Sequence, residues 1–332
     1  MSLRSAVSVV VTTYNQAPYI YEALESVHAQ TYAPLEVLVV DDGSTDGTRE
    51  RIEDFGDRVS PLFQPNQGVA ASRNTGVRRA RGELIAFLDG DDVWNPEKLA
   101  VQVEVAKRNP GSGLVAVDGV EFDATGVIRP SLFLGDLFDR LYAEDELEIT
   151  DSFYPELLRG SFIGTMSQVM IPSRVLADVG PSDTSLRVAS DYDLFLRIAA
   201  KYPFTCVKQP LVSWRCVETS ASGPRHLRFR WGEEDVLVLA KQLREGSPEK
   251  GPLIRRELKW RLSRTAQRAY FYGLEHDRSW ARRFLARFFL RHPRCLHALA
   301  YLVALCVPPG LVHLLAPAVR RVLPERARGP AR

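Results

Sequence analysis

Three runs of apolar, largely β-branched residues end in polar or acidic side chains, and they constrain the fold of this chain more than any other feature. They are AVSVVVTTYN (6–15), LEVLVVDDGS (35–44) and ELIAFLDGDD (83–92). Runs this apolar read as strands buried on both faces, the condition of a parallel sheet. A weaker run, VSPLFQ (59–64), reads as one more strand. Helical patterns lie between the strands. APYIYEALESVHAQ places Ile20, Leu24 and Val27 on one face and Pro18 in the first turn. STDGTRERIEDFG offers Ser44, Thr45 or Asp46 as N-cap, and NPEKLAVQVEVAKRNP offers Asn95 as cap with Pro96 at the first helical position. Strand and helix alternate, so the expectation is an α/β fold with a mostly parallel central sheet flanked by helices.

In such sheets ligands bind beyond the carboxyl ends of the strands. The polar residues gather there: Thr12, Tyr14 and Asn15 after the first strand, Asp41 and Asp42 after the second, Asp89, Asp91 and Asp92 after the fourth. Two carboxylates one residue apart, with Gly90 between them, can share Mg²⁺ or Mn²⁺ with a phosphate ligand. The competing reading is an acidic turn with a helix cap. Asp42 either caps the next helix or accepts hydrogen bonds from a ligand. Asp191, at the start of SDYDLFLRIAAKYP (190–203), reads on spacing alone as an N-cap or first-turn residue; it is also a plausible general base. Gly68 before a helix suits a phosphate-cradling turn, with Arg73 placed to face a diphosphate. No GxGxxG or GxxxxGK[ST] occurs, so dinucleotide and P-loop readings have no support.

The middle region is less regular. SGLVAVDGVEFDATG reads as a pair of strands, and the segment 149–180 as helix, strand ending at Pro172, then helix. FTCVKQPLVSWRCV reads as a strand or hairpin. In the helix 190–203, Leu194, Phe195 and Ile198 face inward.

Together these residues resemble the family 2 glycosyltransferases of the GT-A fold. The resemblance rests on VSVVVTTYNQAPYIYEALESVHAQTY, EVLVVDDGSTDGT, NQGVAASRNTGVRRARGELIAFLDGDD and DVGPSDTSLRVASDYDLFLRIA, in that order, over about 6–220. It implies an inverting transfer of one sugar from a UDP-sugar, with Mn²⁺ or Mg²⁺, to a hydroxyl of a glycan or lipid-linked acceptor in cell-surface polysaccharide assembly. By resemblance Thr12 and Tyr14 contact the nucleobase, Tyr14 stacking on it, and Asp42 pairs with the uracil N–H. Asp89 lies near ribose and metal, Asp91 ligates the metal, Arg73 contacts the nucleotide, and Asp191 deprotonates the acceptor. Residues 1–110 would form the nucleotide-sugar half and 111–224 the acceptor half of one domain. Three departures bear on this. Trp214–Arg215–Cys216–Val217 stands where many relatives carry YRxH, so a histidine contact to metal or diphosphate is missing. LRFRW (227–231) keeps Arg230 and Trp231 of the processive QxxRW motif but has Leu227 for glutamine, which favours single-sugar transfer. The base motif reads SD rather than ED. The rival functions are a non-catalytic nucleotide-sugar scaffold and a nucleotidyltransferase; the latter lacks its Gly-rich, basic phosphate loop.

Charge separates the rest of the chain. Residues 1–224 carry 20 Lys+Arg against 32 Asp+Glu, and 225–332 carry 23 against 9, a swing from −12 to +14. The basic part reads as arginine-studded helices followed by a nearly uncharged stretch, 295–319, broken by Pro308 and Pro309. That pattern fits peripheral attachment to an anionic membrane face, with ordinary packing, a homodimer interface or a true span as alternatives. No nucleic-acid-binding module is recognisable. Four cysteines form no metal-spaced set, and the opening MSLRSAVSVVVTTYN reads as a strand rather than a secretory leader. Reduced thiols at the cytoplasmic face of the membrane are the expectation.

Overall fold

The structure, a computed structural model, describes residues 6–133, 147–217 and 227–306, and within them the side chains of all but 227–231, 275 and 304. Arg230 and Trp231 as side chains, the Pro308–Pro309 break and the end of the 295–319 stretch therefore lie outside the described residues. The chain divides into two units, Met1–Gly223 and Pro224–Arg332.

In the first unit β1 (Val7–Thr13) is buried along its whole length and pairs in parallel with β2 (Glu36–Asp41) on one side. Between them α1 (Ile20–His28) buries Ile20, Ala23, Leu24 and Val27 against the face of β1 that carries Val7, Val9 and Val11. The helix begins two residues beyond Pro18, because the Asn15–Tyr19 segment is occupied in a turn. α2 (Thr48–Glu53) has Gly47 at its N-cap position, and Asp46 accepts from the Thr48 N–H at 3.0 Å from just outside the helix. β3 (Ser60–Phe63) adds in parallel beyond β2. α3 (Val69–Arg79) covers the opposite face of the sheet. Gly76 makes that packing possible, since a Cβ there would lie 2.3 Å from Val10 Cγ1. β4 (Leu84–Asp89) then pairs in parallel with β1, opposite β2. β5 (Val93–Trp94) is too short to be legible in sequence. α4 (Lys98–Arg108) starts two residues after Pro96, and Asn95 Oδ1 accepts from the Glu97 N–H at 3.0 Å.

Past β4 the sheet becomes mixed. β6 (Leu114–Asp123) is a single long strand that turns back as β7 (Gly126–Arg129). β8 (Glu148–Asp151) and α5 (Tyr154–Arg159) precede β9 (Val169–Pro172), which runs antiparallel to both β4 and β6. α6 (Ser173–Val179) and α7 (Ser190–Ala199) follow, the latter burying Leu194, Phe195 and Ile198. β10 (Phe204–Arg215) is one strand rather than a hairpin. Its parallel register to β6 shifts on both sides of Pro210, a residue with no N–H to give the ladder. The strand order is β3-β2-β1-β4-β9-β6-β10-β5. One parallel part is the β1–β4 block, where each connection is a crossover helix, and β6 with β10 is another parallel pair. β9 instead starts beside the carboxyl end of β4, so the residues just before it arrive at that end.

The second unit is helical: α8 (Leu227–Glu245), α9 (Gly251–Glu275), α10 (Arg278–Arg291) and α11 (Leu296–Cys306). Its core joins Ala266, Ala269 and Tyr270 of α9, Ala281, Phe284, Leu285 and Phe288 of α10, and Ala298, Tyr301 and Leu305 of α11. Asp277 caps α10 through the N–H groups of Ser279 and Trp280, each at 2.9 Å. Among the described residues no helix is long and apolar enough to cross a membrane.

Candidate active site

The parallel register brings the strand ends level. Thr12 lies beside Asp89, and Thr13 beside Asp41. The β1–α1 loop is then laced to the β2–α2 loop. Asn15, left-handed at φ 52°, donates its N–H to Ser44 Oγ at 2.8 Å and accepts the Thr45 N–H at 2.8 Å. The N–H groups of Gln16 and Ala17 go to Thr48 Oγ1 (2.8 Å) and Asp46 Oδ2 (3.0 Å). This fixed loop presents the Tyr14 side chain to solvent, 47% exposed. Asp41 is turned inward and bonded by the Ser44 hydroxyl.

Asp42 is buried and well supplied. Oδ1 accepts from Gln64 Nε2 (2.7 Å) and the Gln67 N–H (3.0 Å), and Oδ2 from the Gly68 N–H (2.7 Å). An ionised carboxylate has about four lone-pair sites, so three are taken. Asp42 therefore latches the end of β2 to the entrance of α3, and Gly68 lends its N–H to that latch. It does not cap α2.

The acids after β4 form a cluster held from several sides. Asp89 Oδ1 receives the Thr12 hydroxyl (3.2 Å) and Arg73 (2.9 Å), while Oδ2 receives the Thr165 hydroxyl (3.1 Å). Asp92 is fully buried, bonded by the Ser167 hydroxyl (2.6 Å) and the Arg215 N–H (3.1 Å). Asp92 thus serves the turn itself. Asp91 is buried too. Its burial and the charge of Asp89 push its pKa from 3.8 up to about 6, against the opposing pull of its own N–H, Gln16 and Arg215. Burial and the charges of Asp91 and Asp89 likewise raise Asp92. Gly90 has no room for a side chain, since a Cβ would sit 2.6 Å from Gln16 Oε1.

Asp191 stands in the first turn of α7, whose N-cap position is Ala189, and accepts the Tyr192 N–H at 2.7 Å. Burial raises its pKa; the Arg73 cation and the Tyr192 N–H pull it down, and Asp89 adds a further upward push. Arg73 and Asp89 both act on it, so α3, β4 and α7 meet in one electrostatic neighbourhood. Arg73 is itself buried, and its Nε has no hydrogen-bond partner among the described residues. Thr12, Arg73, Asp89, Asp91 and Asp191 are brought together. Asp42 and Tyr14 stand apart, with no hydrogen bond to the acids among the described residues.

The donor set fits a divalent cation shared with a ligand. Asp89 and Asp91 supply hard oxygens, and burial together with the neighbouring Asp89 charge raises the pKa of Asp91. Among the described residues no three His, Cys, Asp or Glu side chains make a protein-only cage. Mg²⁺ commonly takes one or two carboxylates plus phosphate oxygens.

Four residues that hold this site escaped the sequence reading. Gln16 bonds Asp91, and Thr165 and Ser167 bond the other acids from just before β9. Their signal is topological, because only the antiparallel entry of β9 brings 165–167 to the end of β4. Arg215 donates Nε to the Asp91 carbonyl (3.0 Å) and reaches Glu22 (2.5 Å). Its guanidinium also lies over the rings of Phe122 (4.5 Å) and Tyr19 (5.0 Å). The chain's departure from YRxH therefore leaves an arginine clamped on the acidic turn, with Cys216 exposed behind it.

The sequence model of Glycosyl transferase family 2 matches residues 8–161, which contain β1, β2, β4 and the acidic turn. Over this segment the chain is similar to glycosyl transferase family 2. An uncharacterized glycosyltransferase of Rickettsia typhi is 30% identical over 204 residues, covering 59% of this chain and 60% of the relative. A putative teichuronic acid biosynthesis glycosyltransferase of Bacillus subtilis, TuaG, is 36% identical over 127 residues, covering 35% of this chain and 50% of the relative. The chain thus spans about half the length of these relatives. The fold is that of GT-A glycosyltransferases. Staphylococcus aureus TarS 1–349 in complex with UDP matches with a TM-score of 0.62 at 19% identity, over 97% of this chain and 87% of that one. The mannosyltransferase PcManGT of Pyrobaculum calidifontis, in complex with GDP-Man and Mn²⁺, matches with a TM-score of 0.54 at 24% identity, over 92% and 87%.

Proposed function

We propose that this chain is a family 2 glycosyltransferase that moves one sugar from a UDP-sugar to a hydroxyl of a glycan or lipid-linked acceptor. The setting is cell-surface polysaccharide assembly at the cytoplasmic face of the membrane. The observation that carries the reading is the meeting of the acidic turn, Arg73 and Asp191 at the carboxyl edge of the sheet. The similarity to TuaG supports the polysaccharide setting, and the UDP bound to TarS supports the donor class.

Asp191 accepts the acceptor's proton as its oxygen bonds to the anomeric carbon. The bond from that carbon to the diphosphate breaks, its electron pair leaves with the diphosphate, and a single displacement inverts the centre. A raised pKa favours Asp191 as a base, because a carboxylate destabilised by burial takes up a proton more readily. Asp89 and Asp91 would hold Mn²⁺ or Mg²⁺, which when bound neutralises charge on the departing diphosphate. Arg73 Nε, a buried N–H without a partner among the described residues, would take an anionic oxygen of the donor. Tyr14 would stack on uracil, Thr12 would border it, and the last open acceptor position of Asp42 would meet the uracil N–H.

A screen of nucleotide sugars for UDP release with Mn²⁺ tests this. A single productive UDP-sugar, with release lost in Asp191→Asn, is the expected outcome. Tight UDP binding with no turnover on any donor and acceptor would instead establish a sensor or scaffold. Pyrophosphate release from a nucleoside triphosphate would establish a nucleotidyltransferase.

A further inference from the structure

The helical unit carries a surface that sugar transfer does not use. From Arg278 to Cys306 there are six arginines and no Asp, Glu or Lys. On α10, Arg283, Arg287 and Arg291 follow at four-residue steps and are exposed, while Ala281, Phe284, Leu285 and Phe288 enter the core. Arg294 is exposed in the turn that follows. On α11 the exposed residues are Leu296 (65%), Leu299 (38%), Val303 (49%) and Cys306. Steps of three and four keep them on one face, opposite Ala298, Tyr301 and Leu305 in the core. Leu290, 78% exposed, lies just before the turn. Within 290–296 the chain thus presents Leu290, Arg291, Arg294 and Leu296 together.

An exposed leucine on its own is ordinary. A stripe of them on a helix that follows a row of exposed arginines is a surface with a chemistry. Arg282 is engaged by the Leu305 carbonyl, and Arg291 reaches Glu233 at 3.5 Å. Arg283 donates to the Ser279 hydroxyl at 3.3 Å and lies near the Asp277 cap, while Arg287 and Arg294 form no salt bridge among the described residues. We propose that this face docks on an anionic lipid bilayer, the α11 stripe lying in the interface and the arginines on the headgroups. This gives the membrane placement proposed above a specific face and rests on that placement. A second copy fits less well, because a two-fold contact sets the same patch against itself and would bring arginine to arginine. A nucleic acid would engage the arginines but leave the apolar stripe in water.

Co-sedimentation of the full chain with vesicles tests the proposal. One set is phosphatidylcholine alone, the other contains about a third phosphatidylglycerol. The expected result is at least ~10-fold stronger partitioning onto the anionic set, weakening several-fold between about 0.1 and about 0.5 M NaCl. Arg283→Glu, Arg287→Glu and Arg294→Glu combined remove the anionic preference. Leu296→Ser, Leu299→Ser and Val303→Ser combined weaken binding at every salt concentration, with circular dichroism confirming that both variants fold. Equal binding to both vesicle sets, no binding to either, or variants that bind like the wild type would each overturn it. So would a dimer in light scattering that the serine variant dissolves, which would assign the stripe to a second copy. Vesicle binding needs neither donor nor acceptor, so its failure leaves the transfer reaction standing, and loss of transfer leaves the docking result standing.

Discussion

The β1–β4 block and the β6–β10 segment lie in the same sheet but divide the work differently. The block supplies the acids, Asp89 and Asp91, on parallel strands joined by helices. The later segment supplies what holds and complements them: Thr165 and Ser167 before β9, Asp191 on α7 and Arg215 at the end of β10. The acids of the turn come from the regular half, and their restraint, with one further carboxylate, Asp191, from the irregular half. A repulsive acidic turn is stable only when elements distant in sequence close around it.

The largest expected effect removes the complement. Asp191→Asn should lower sugar transfer by about 10²–10⁴-fold, the range for a lost general base, while UDP binding by calorimetry stays near wild type. Transfer at near wild-type rate would take the base away from the later segment. Next is an acid of the block itself. With Mn²⁺, UDP should raise the wild-type Tm; Asp91→Asn should lose most of the metal-dependent part and about tenfold or more in transfer, one pKa unit's worth of interaction being 1.36 kcal/mol. An unchanged metal response would remove Asp91 from the ligand set.

A smaller effect probes the restraint. Ser167→Ala leaves buried Asp92 short of a donor and should cost about 1–3 kcal/mol in denaturant unfolding. An exposed hydroxyl such as Ser185 offers the control, with little change on mutation. The smallest effect is a slope. The folded pKa of Asp91, about 6, lies above its ordinary 3.8, so the folded chain holds this proton to higher pH than the unfolded chain. Its contribution to stability is therefore present at low pH and declines as pH rises from about 4 to about 6. The wild-type Tm minus that of Asp91→Asn should fall across this window, and a rise there would reverse the assigned sign.

The same division explains what could be read from sequence. Val7 to Val11, Val37 to Val40 and Leu84 to Leu88 announce buried strands by local composition, and the polar ends of those strands mark the ligand edge. Helix starts were displaced by two residues at Pro18 and Pro96, because loop hydrogen bonds compete with the first helical turn. The mixed sheet was not legible, since nothing local in VMIP says that β9 runs against β4. Thr165 and Ser167 stayed invisible for the same reason, their partners lying 73 and 75 residues away. The motif residues Asp89, Asp91 and Arg73 were legible as a set. Asp42 was legible as important, but its role as a latch on α3 depends on Gln64, Gln67 and Gly68 arriving beside it.

Arg215 carries a consequence for the birth of the protein. It grips Asp91 and Asp92 from 124 and 123 residues downstream, and Glu22 from 193. At a synthesis rate of roughly 10 residues per second, the acidic turn leaves the ribosome about 12 s before its clasp exists. During that interval the nascent β1–β4 block can pair its strands, but its three carboxylates have neither Ser167 nor Arg215. A ribosome-bound chain stopped short of Arg215 should therefore carry a formed sheet with an unsettled acidic mouth, and competence to grip a donor should arise only when the last strand is threaded in.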